Sequence, residues 1–256
     1  MCGRYTLSQG EKIVEAIPNI TIREDLRRLM DGGRFNIAPT QDVLVAVQSG
    51  ANPELRVMQW GLVPSWAKDA SSPLINARAE TLAEKPMFRS AFRARRCVVP
   101  ADGFYEWRTN ADGSKTPLYI RLKSHGGFAF AGLWETWKDP TGEELTTCTI
   151  ITTRPNSLLA PIHNRMPAIL SPEAVRRWLD PGAGASGAEE LLALLEPFPT
   201  EQLEFHLVSR AVNSAEREGS ELIVAVEDGG PAKATPAARS RTHRAKGGAK
   251  TQGELF

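Results

Sequence analysis

The sequence opens with Met-Cys-Gly-Arg-Tyr, which places a cysteine directly after the first methionine. Cysteine is small enough for Met1 to be removed. Removal of Met1 would leave the α-amine and the thiol of Cys2 on adjacent carbons. One residue would then carry two nucleophiles. The alternative is that position 2 is simply a small residue at a frayed terminus, and position alone does not decide between the two.

Four further segments place polar side chains in apolar strand-like or turn surroundings, where an unpaired polar group is costly. Glu106 lies between two aromatic residues, and a carboxyl group that is partly desolvated in this way suits proton transfer at neutral pH. On periodicity alone, however, Glu106 could equally face solvent and pair with Arg108 or Arg121, and His163 could be an ordinary loop histidine. The segments are LINARAET with Asn76, Arg78 and Glu80, VVPADGFYEWR with Glu106, APIHNRMP with His163, Asn164 and Arg165, and RFNIAPT with Asn36 and Pro39.

Cysteine count and motif spacing exclude several classes of site. The three cysteines are an odd number without a C-x-x-C pair, so the sequence indicates neither a disulfide framework nor a zinc site. Cys97 and Cys148 lie in strand-like segments and are expected to be buried small hydrophobic residues. No spacing matches a phosphate-binding loop or a Gly-x-Ser-x-Gly nucleophile turn, and we expect no metal and no cofactor.

Composition predicts one sizeable core with an appendage. The chain has 256 residues, 41% hydrophobic and 24% charged. It shows no basic-then-apolar leader and no apolar run long enough for a membrane span, so we expect a cytoplasmic protein. Residues 231–256 carry six Lys/Arg and one Glu, a net charge of +5 that leaves −4 for the remaining 230 residues. A nucleic-acid site on the body must therefore be a local patch.

The elements that must position these residues are mostly strands. Short β-branched and aromatic runs separated by turns predict antiparallel pairing. We therefore expect an α+β fold: mainly an antiparallel curled sheet or partly closed β-barrel with flanking helices. Ser8 and Glu11 suggest a capping box opening a first helix, and Ser171 with Pro172 predicts the start of another. Domain bounds are predicted at residues 1–226, followed by a disordered basic tail at 227–256.

These segments together resemble one family, the SOS-response-associated peptidase family. The resemblance runs in order from Cys2 to about Ser209 and leaves the tail outside. It implies an SRAP fold and a covalent cross-link to abasic sites in single-stranded DNA, and hence association with the nucleoid through DNA. Whether the site lies at a junction of single- and double-stranded DNA stays open. The resemblance also implies possible lyase chemistry and peptidase activity limited to removal of Met1. The motifs that carry it are MCGRY, FNIAPT, WGLVPSWAKD, INARAET, FRSAFRARRCVVPADGFYEW, FAGLWE, TIITTRPN and IHNRMP.

The resemblance also implies roles for individual residues. The α-amine of Cys2 attacks the ring-opened sugar and its thiol closes a thiazolidine ring, a reaction suited to an amine with an ordinary pKa of about 7.7–8.0. Glu106 is the general acid and base, His163 assists proton transfer at the sugar, and Asn76 orients the Cys2 terminus or the sugar-phosphate. The implied DNA contacts are phosphate clamps at Arg4, Arg78 and Arg165 and a wedge or stacking surface formed by Trp66 and the loop with Asn36 and Pro39.

Two other functions stay open. A cysteine peptidase acting on other proteins would use Cys2, His163 and Asn76 as nucleophile, base and orienting group. A non-covalent reader of modified bases would bind without chemistry.

The final residues QGELF resemble peptides that bind a sliding clamp, with Gln252, Leu255 and Phe256 as contacts. We expect a monomer.

Overall fold

The computed structural model describes residues 2–184 and 187–227, and β-strands dominate them. The strands form where β-branched and aromatic residues are concentrated, because these side chains pack well on a pleated, half-buried surface. Within the described residues the strands are β1 (Tyr5–Leu7), β2 (Arg34–Ile37), β3 (Asp42–Ser49), β4 (Asn52–Trp60), β5 (Asn76–Arg78), β6 (Arg96–Ala101), β7 (Gly103–Thr109), β8 (Lys115–Leu122), β9 (Phe128–Lys138), β10 (Glu144–Thr153), β11 (Met166–Pro167), β12 (Ile169–Leu170) and β13 (Leu203–Leu207).

The helices are short and flank the sheets. The α-helices are α1 (Lys12–Ala16), α2 (Glu24–Met30), α3 (Pro86–Ala94), α4 (Pro172–Leu179) and α5 (Ala188–Ala193). Single-turn 3₁₀ helices occupy Ala79–Thr81, Pro181–Gly184, Thr200–Gln202, Arg210–Asn213 and Ser220–Ile223.

One predicted helix start is confirmed and the other is wrong. The Ser171 side chain accepts a hydrogen bond from the backbone N–H of Ala174 at 3.2 Å and caps α4, as its sequence predicts. Ser8 forms no capping box with Glu11: α1 begins without a side-chain cap. The Ser8 hydroxyl donates instead to the buried carboxylate of Asp102, because that distant partner competes with the local one.

Five strands of the larger sheet close into a barrel. Its order runs β10, β4, β3, β6 and β9, and β10 also pairs with β9. The closing contact of β10 with β4 is parallel, and β5 also joins β10 in parallel, whereas the neighbours along the rest of the ring are antiparallel. The α+β fold with a partly closed barrel is therefore confirmed.

A second sheet packs against the barrel through β1. Its order is β13, β8, β7, β1 and β2. Tyr5 of β1 makes edge-to-face contacts with Trp60 of β4 and Phe130 of β9, at ring-centroid distances of 5.4 and 5.8 Å. These contacts fix β1, and with it the residues immediately before β1, on the core.

None of the helices in the described residues is long and apolar enough to cross a membrane. Cys97 on β6 and Cys148 on β10 are fully buried, as predicted. The predicted tail beyond residue 227, including its terminal peptide with Gln252, Leu255 and Phe256, lies outside the described residues.

Candidate active site

Strand register brings Cys2 to Glu106 although the two are far apart in the chain. β1 pairs antiparallel with β7, with Tyr5 opposite Phe104 and Thr6 opposite Gly103. The backbone N–H of Tyr105 donates to the carbonyl of Arg4 at 3.0 Å and extends this ladder towards the N-terminus. Continuing the register carries the chain before β1 alongside the middle of β7, where Glu106 lies.

Cys2 and Glu106 are both buried, at 4% and 2% exposure. Burial is the largest cause that raises the pKa of the Cys2 thiol, and the charge and hydrogen bond of the adjacent Glu106 carboxyl raise it further. The Arg165 guanidinium acts weakly in the opposite direction. Glu106 Oε1 has no hydrogen-bond partner within the described residues. The solvent-facing alternative for Glu106 and the frayed-terminus alternative for Cys2 are therefore both wrong, and one carboxyl oxygen stays available for another group.

Asn76 reaches the same place from the other sheet. β5 runs parallel to β10 with Asn76 opposite Ile150. The Asn76 side-chain N–H donates to the Cys2 carbonyl and to the Ile150 carbonyl, both at 3.3 Å. Asn76 Oδ1 is buried and has no partner within residues 2–184 and 187–227. The amide thus holds the Cys2 backbone while its own oxygen remains available as an acceptor.

His163 lies in a tight segment after β10. Its backbone N–H donates to the Leu159 carbonyl at 2.9 Å. His163 Nδ1 lies 3.0 Å from the backbone N–H of Arg165 and 3.1 Å from the Arg165 carbonyl oxygen, so the Arg165 backbone can hold this nitrogen as an acceptor or as a donor. The geometry orients the imidazole through its own loop.

An open cleft joins His163 and Glu106. Its volume is about 370 Å³, and its other lining residues are Trp107, Lys115 and Asn213. The Trp107 indole N–H donates to Asn213 Oδ1 at 2.8 Å. A cleft with an acid, an imidazole and a lysine on its walls, next to a buried thiol, can take a polar and partly anionic ligand and move protons on it.

Asn36, predicted to contact DNA, is fully buried. Its side-chain N–H groups donate to the carbonyls of Ser214 at 2.9 Å and Arg217 at 2.8 Å. Its Oδ1 accepts from Arg4 Nη1 at 2.6 Å. An amide with no exposed surface cannot touch DNA directly, so this prediction is corrected to a positioning role. Asn36 holds the segment that carries Asn213 against β2.

Arg4 is half-buried beside the cleft. Its Nη1 also donates to the Val212 carbonyl at 2.6 Å, and its guanidinium carbon lies 6.0 Å from the centroid of the Trp107 ring. Arg4 therefore supports the wall that Trp107 and Asn213 form. Its predicted phosphate contact stays a prediction.

The remaining predicted DNA contacts differ in accessibility. Trp66, in the loop between β4 and β5, is 65% exposed, as a stacking surface must be. Arg78 at the end of β5 is also exposed, and Pro39 is half-buried in the turn after β2. Arg165 instead forms a bidentate ion pair with Glu80. Only Trp66 and Arg78 offer side chains that solvent reaches freely.

Sequence reasoning missed three residues of the cleft wall. Trp107 follows Glu106, and Lys115 begins the strand that pairs with β7, so the hairpin pattern could have indicated both. Asn213 lies more than 100 residues later, on a segment held by Asn36, and no local signal marks it. Within residues 2–184 and 187–227, no group of three or more His, Cys, Asp or Glu side chains is placed to hold a metal ion.

Comparison with known proteins gives a consistent result. Residues 1–215 match the family described as SOS response associated peptidase (SRAP). The chain is 44% identical over 226 residues to the abasic site processing protein YoqW of Bacillus subtilis, covering 87% of this chain and 99% of that protein. It is 34% identical over 224 residues to the abasic site processing protein YedK of Escherichia coli, with the same coverage. A crystal structure of a protein from Bacteroides thetaiotaomicron superimposes with a TM-score of 0.75 at 28% identity, over 88% of this chain and 100% of that one.

Proposed function

We propose that this chain, which belongs to the SOS response associated peptidase family, processes abasic sites in DNA by cross-linking covalently to them through Cys2. The relatives named abasic site processing proteins support the general activity. The observation that carries the finer proposal is the burial of Cys2 beside Asn76 and Glu106, the latter lining a cleft together with His163. This placement suits a terminal amine and thiol acting on one carbon.

The proposed reaction has two steps after Met1 is removed. The neutral α-amine of Cys2 attacks the C1′ aldehyde of a ring-opened abasic sugar, and loss of one water gives an imine. The Cys2 thiol then adds across the C=N bond: sulfur bonds to C1′, and the thiol proton passes to nitrogen. The product is a five-membered thiazolidine. Its mass is the sum of the processed protein and the DNA minus one water.

Three side chains have roles in this reaction. Glu106 moves protons during imine formation and receives the thiol proton, since its carboxyl group already hydrogen-bonds to Cys2. Asn76 holds the Cys2 carbonyl, so that the amine and thiol enter the cleft in a fixed orientation. His163 assists proton transfer at the sugar during ring opening, with its ring held at Nδ1 by the Arg165 backbone.

DNA contacts in this proposal are made by exposed groups. Arg78 contacts a backbone phosphate, and Trp66 stacks on a base of the single strand, with Pro39 beside its path. Lys115 on the cleft wall is added as a phosphate contact at the reacting nucleotide. Such contacts position a strand without reading its sequence, which suits a damage site of any sequence.

Intact mass spectrometry tests the cross-link directly. The protein is measured alone and after incubation with a single-stranded oligonucleotide carrying one abasic site, beside Cys2→Ser and Cys2→Ala. The expected result is loss of Met1 and a stable adduct at protein plus DNA minus one water. Cys2→Ser should give at most an adduct that hydrolyses, because a thiol is needed to close the stable ring. Retained Met1 without any adduct would refute the mechanism.

The raised pKa of the Cys2 thiol argues against the second candidate, a peptidase acting on other proteins. A peptidase cysteine works as a thiolate next to an imidazolium, whereas burial and Glu106 keep this thiol protonated. Peptidase activity in the proposal is limited to removal of Met1. Turnover of unrelated peptides that is lost in Cys2→Ala would reverse this choice. A non-covalent reader would instead keep its DNA affinity in Cys2→Ala and form no adduct in the wild type.

A clamp contact through Gln252, Leu255 and Phe256 is proposed from sequence alone. Deleting residues 252–256 and measuring binding to a bacterial sliding clamp by calorimetry tests it. Unchanged affinity would eliminate the contact.

A further inference from the structure

The loop between β4 and β5 carries the exposed Trp66, and its base is held against the barrel. Leu62 and Leu74 each donate a backbone N–H to the carbonyl of the other, at 3.0 and 2.9 Å, and close the base. Beside them, the Val63 N–H donates to the hydroxyl of the fully buried Thr147 of β10 at 3.0 Å. These three bonds fix where the loop leaves the barrel and where it returns.

The tip of the loop has a single attachment of its own. A tight turn forms it, because the Ala67 N–H donates to the Pro64 carbonyl at 2.9 Å. The Ala67 carbonyl accepts from the indole N–H of Trp137, near the end of β9, at 2.8 Å. Within residues 2–184 and 187–227, this is the only hydrogen bond that joins residues 64–73 to another part of the chain.

One pair of strands supports both the base and the tip. Thr147 of β10 lies opposite Glu135 of β9, and Trp137 is two residues further along β9, opposite Leu145. Trp137 is 8% exposed, whereas Trp66 is 65% exposed. The donor is therefore fixed in the body of the protein, and the residue that it holds is the direct neighbour of an aromatic ring in solvent.

We propose that Trp137 is a positioning residue for DNA, holding the loop tip so that the Trp66 indole meets a base in one orientation. This inference rests on the proposed function, in which Trp66 stacks on a base of the single strand. Trp137 touches no DNA in this arrangement and acts through the Ala67 carbonyl. Its effect is on affinity, because a stacking surface that is ordered before DNA arrives has less conformational freedom to lose on binding.

The competing explanation is that Trp137 only needs an acceptor, as a buried indole N–H generally does. Trp178 supplies the matched comparison. It is fully buried on α4, and its indole N–H donates to the Cys97 carbonyl of β6 at 2.9 Å. Trp137→Phe and Trp178→Phe thus remove the same kind of bond and keep an aromatic ring, but only the first bond involves the loop.

Four variants are compared with the wild type: Trp137→Phe, Trp178→Phe, Trp66→Ala and the double variant Trp66→Ala with Trp137→Phe. The DNA is a single strand with a tetrahydrofuran abasic analogue, which lacks the aldehyde and forms no imine. Its Kd is measured by fluorescence anisotropy. Stacking is measured by the quenching of 2-aminopurine placed on either side of the analogue. The rate of adduct formation is measured separately at saturating abasic DNA, and thermal unfolding gives the Tm.

Stacking on one base contributes roughly 5- to 150-fold to affinity, so Trp66→Ala should raise the Kd by at least about 5-fold. Trp137→Phe should raise it by about 5-fold and weaken the quenching, because the indole is kept but no longer held. The double variant should bind no more weakly than Trp66→Ala, since no ring is left to position. The adduct rate at saturating DNA should be unchanged in Trp137→Phe, because the lost contact is remote from the reacting carbon.

Trp178→Phe should match the wild type in Kd and quenching. Both phenylalanine variants should lower the Tm by about 2–4 °C, the effect of one lost hydrogen bond in a chain of this size. Stability alone therefore does not separate them, and DNA binding does.

Three results would overturn the inference. The first is a Trp137→Phe variant that equals Trp178→Phe in Kd and quenching, which would make the bond a structural one only. The second is unchanged affinity in Trp66→Ala, which would leave no stacking surface to position. The third is additive losses in the double variant, which would mean that Trp137 acts on DNA by another route. A wild type that forms no adduct would refute the cross-link, while binding of the analogue strand would still decide the role of Trp137.

Discussion

Replacing Asn36 by alanine tests whether this residue contacts DNA or builds the site. The side chain makes two neutral hydrogen bonds, to the carbonyls of Ser214 and Arg217, and one charge-assisted bond from Arg4. Neutral bonds contribute about 1 kcal/mol each and a bond to a charged group about 1.5–3 kcal/mol. The two carbonyls belong to exposed residues and regain water when the amide is lost. We therefore expect Asn36→Ala to lower the free energy of unfolding by about 2–4 kcal/mol.

Urea denaturation followed by tryptophan fluorescence measures this loss. With an m-value near 3 kcal/mol per molar urea, the midpoint should fall by roughly 1 M. Arg78→Gln is the matched comparison, since Arg78 is exposed. It should leave the midpoint unchanged and weaken single-stranded DNA binding with a smaller salt slope. A normal midpoint for Asn36→Ala together with weakened DNA binding would refute the positioning role and restore the direct contact.

Three further changes have defined outcomes. Burial is the largest cause of the raised pKa of the Cys2 thiol, and the Glu106 charge is the next. Because Glu106→Gln removes that charge, alkylation of Cys2 by iodoacetamide should begin at lower pH. A pH profile that moves to higher pH would contradict this. Gly103→Ala should lower stability by about 1–3 kcal/mol in thermal unfolding, because the added methyl group would meet Tyr119 Oη at 2.1 Å; an unchanged Tm would contradict the packing. Ser171→Ala should cost about 1 kcal/mol and Ser171→Gly only a few tenths in urea unfolding, and equal losses would exclude a capping effect.

Residue types indicated which side chains form the candidate site, but periodicity did not indicate that they are buried. Alternation along β7 left Glu106 equally able to face solvent. The structure shows why the pattern is uninformative: β7 is buried on both faces as far as Glu106. Tyr105 packs against Val212 and Leu222, which lie over 100 residues later. A distant segment that covers the outer face of a strand removes the alternation that a sequence pattern needs.

The two corrected assignments share one physical cause. The sequence pattern gives Ser8 a local capping partner, and the family resemblance gives Asn36 a DNA contact. A buried polar group requires a partner, but the sequence does not identify which group that partner is. In the structure, the partners are Asp102 for Ser8 and the Arg217 carbonyl for Asn36, at separations of 94 and 181 residues. Partners at such distances depend on the register of strands, which one sequence leaves open.

Burial of Cys2 also argues for an order of steps in the proposed reaction. A thiol whose pKa is raised stays protonated at neutral pH and is a poor first nucleophile. The α-amine released by loss of Met1 has an ordinary pKa of about 7.7–8.0 and needs no neighbouring base to be partly neutral. It therefore reacts first, and the thiol is needed only once an imine lies beside it. At that point Glu106 accepts the thiol proton. Burial and the adjacent Glu106 carboxyl, which disfavour a peptidase cysteine, therefore suit a thiol that closes a ring.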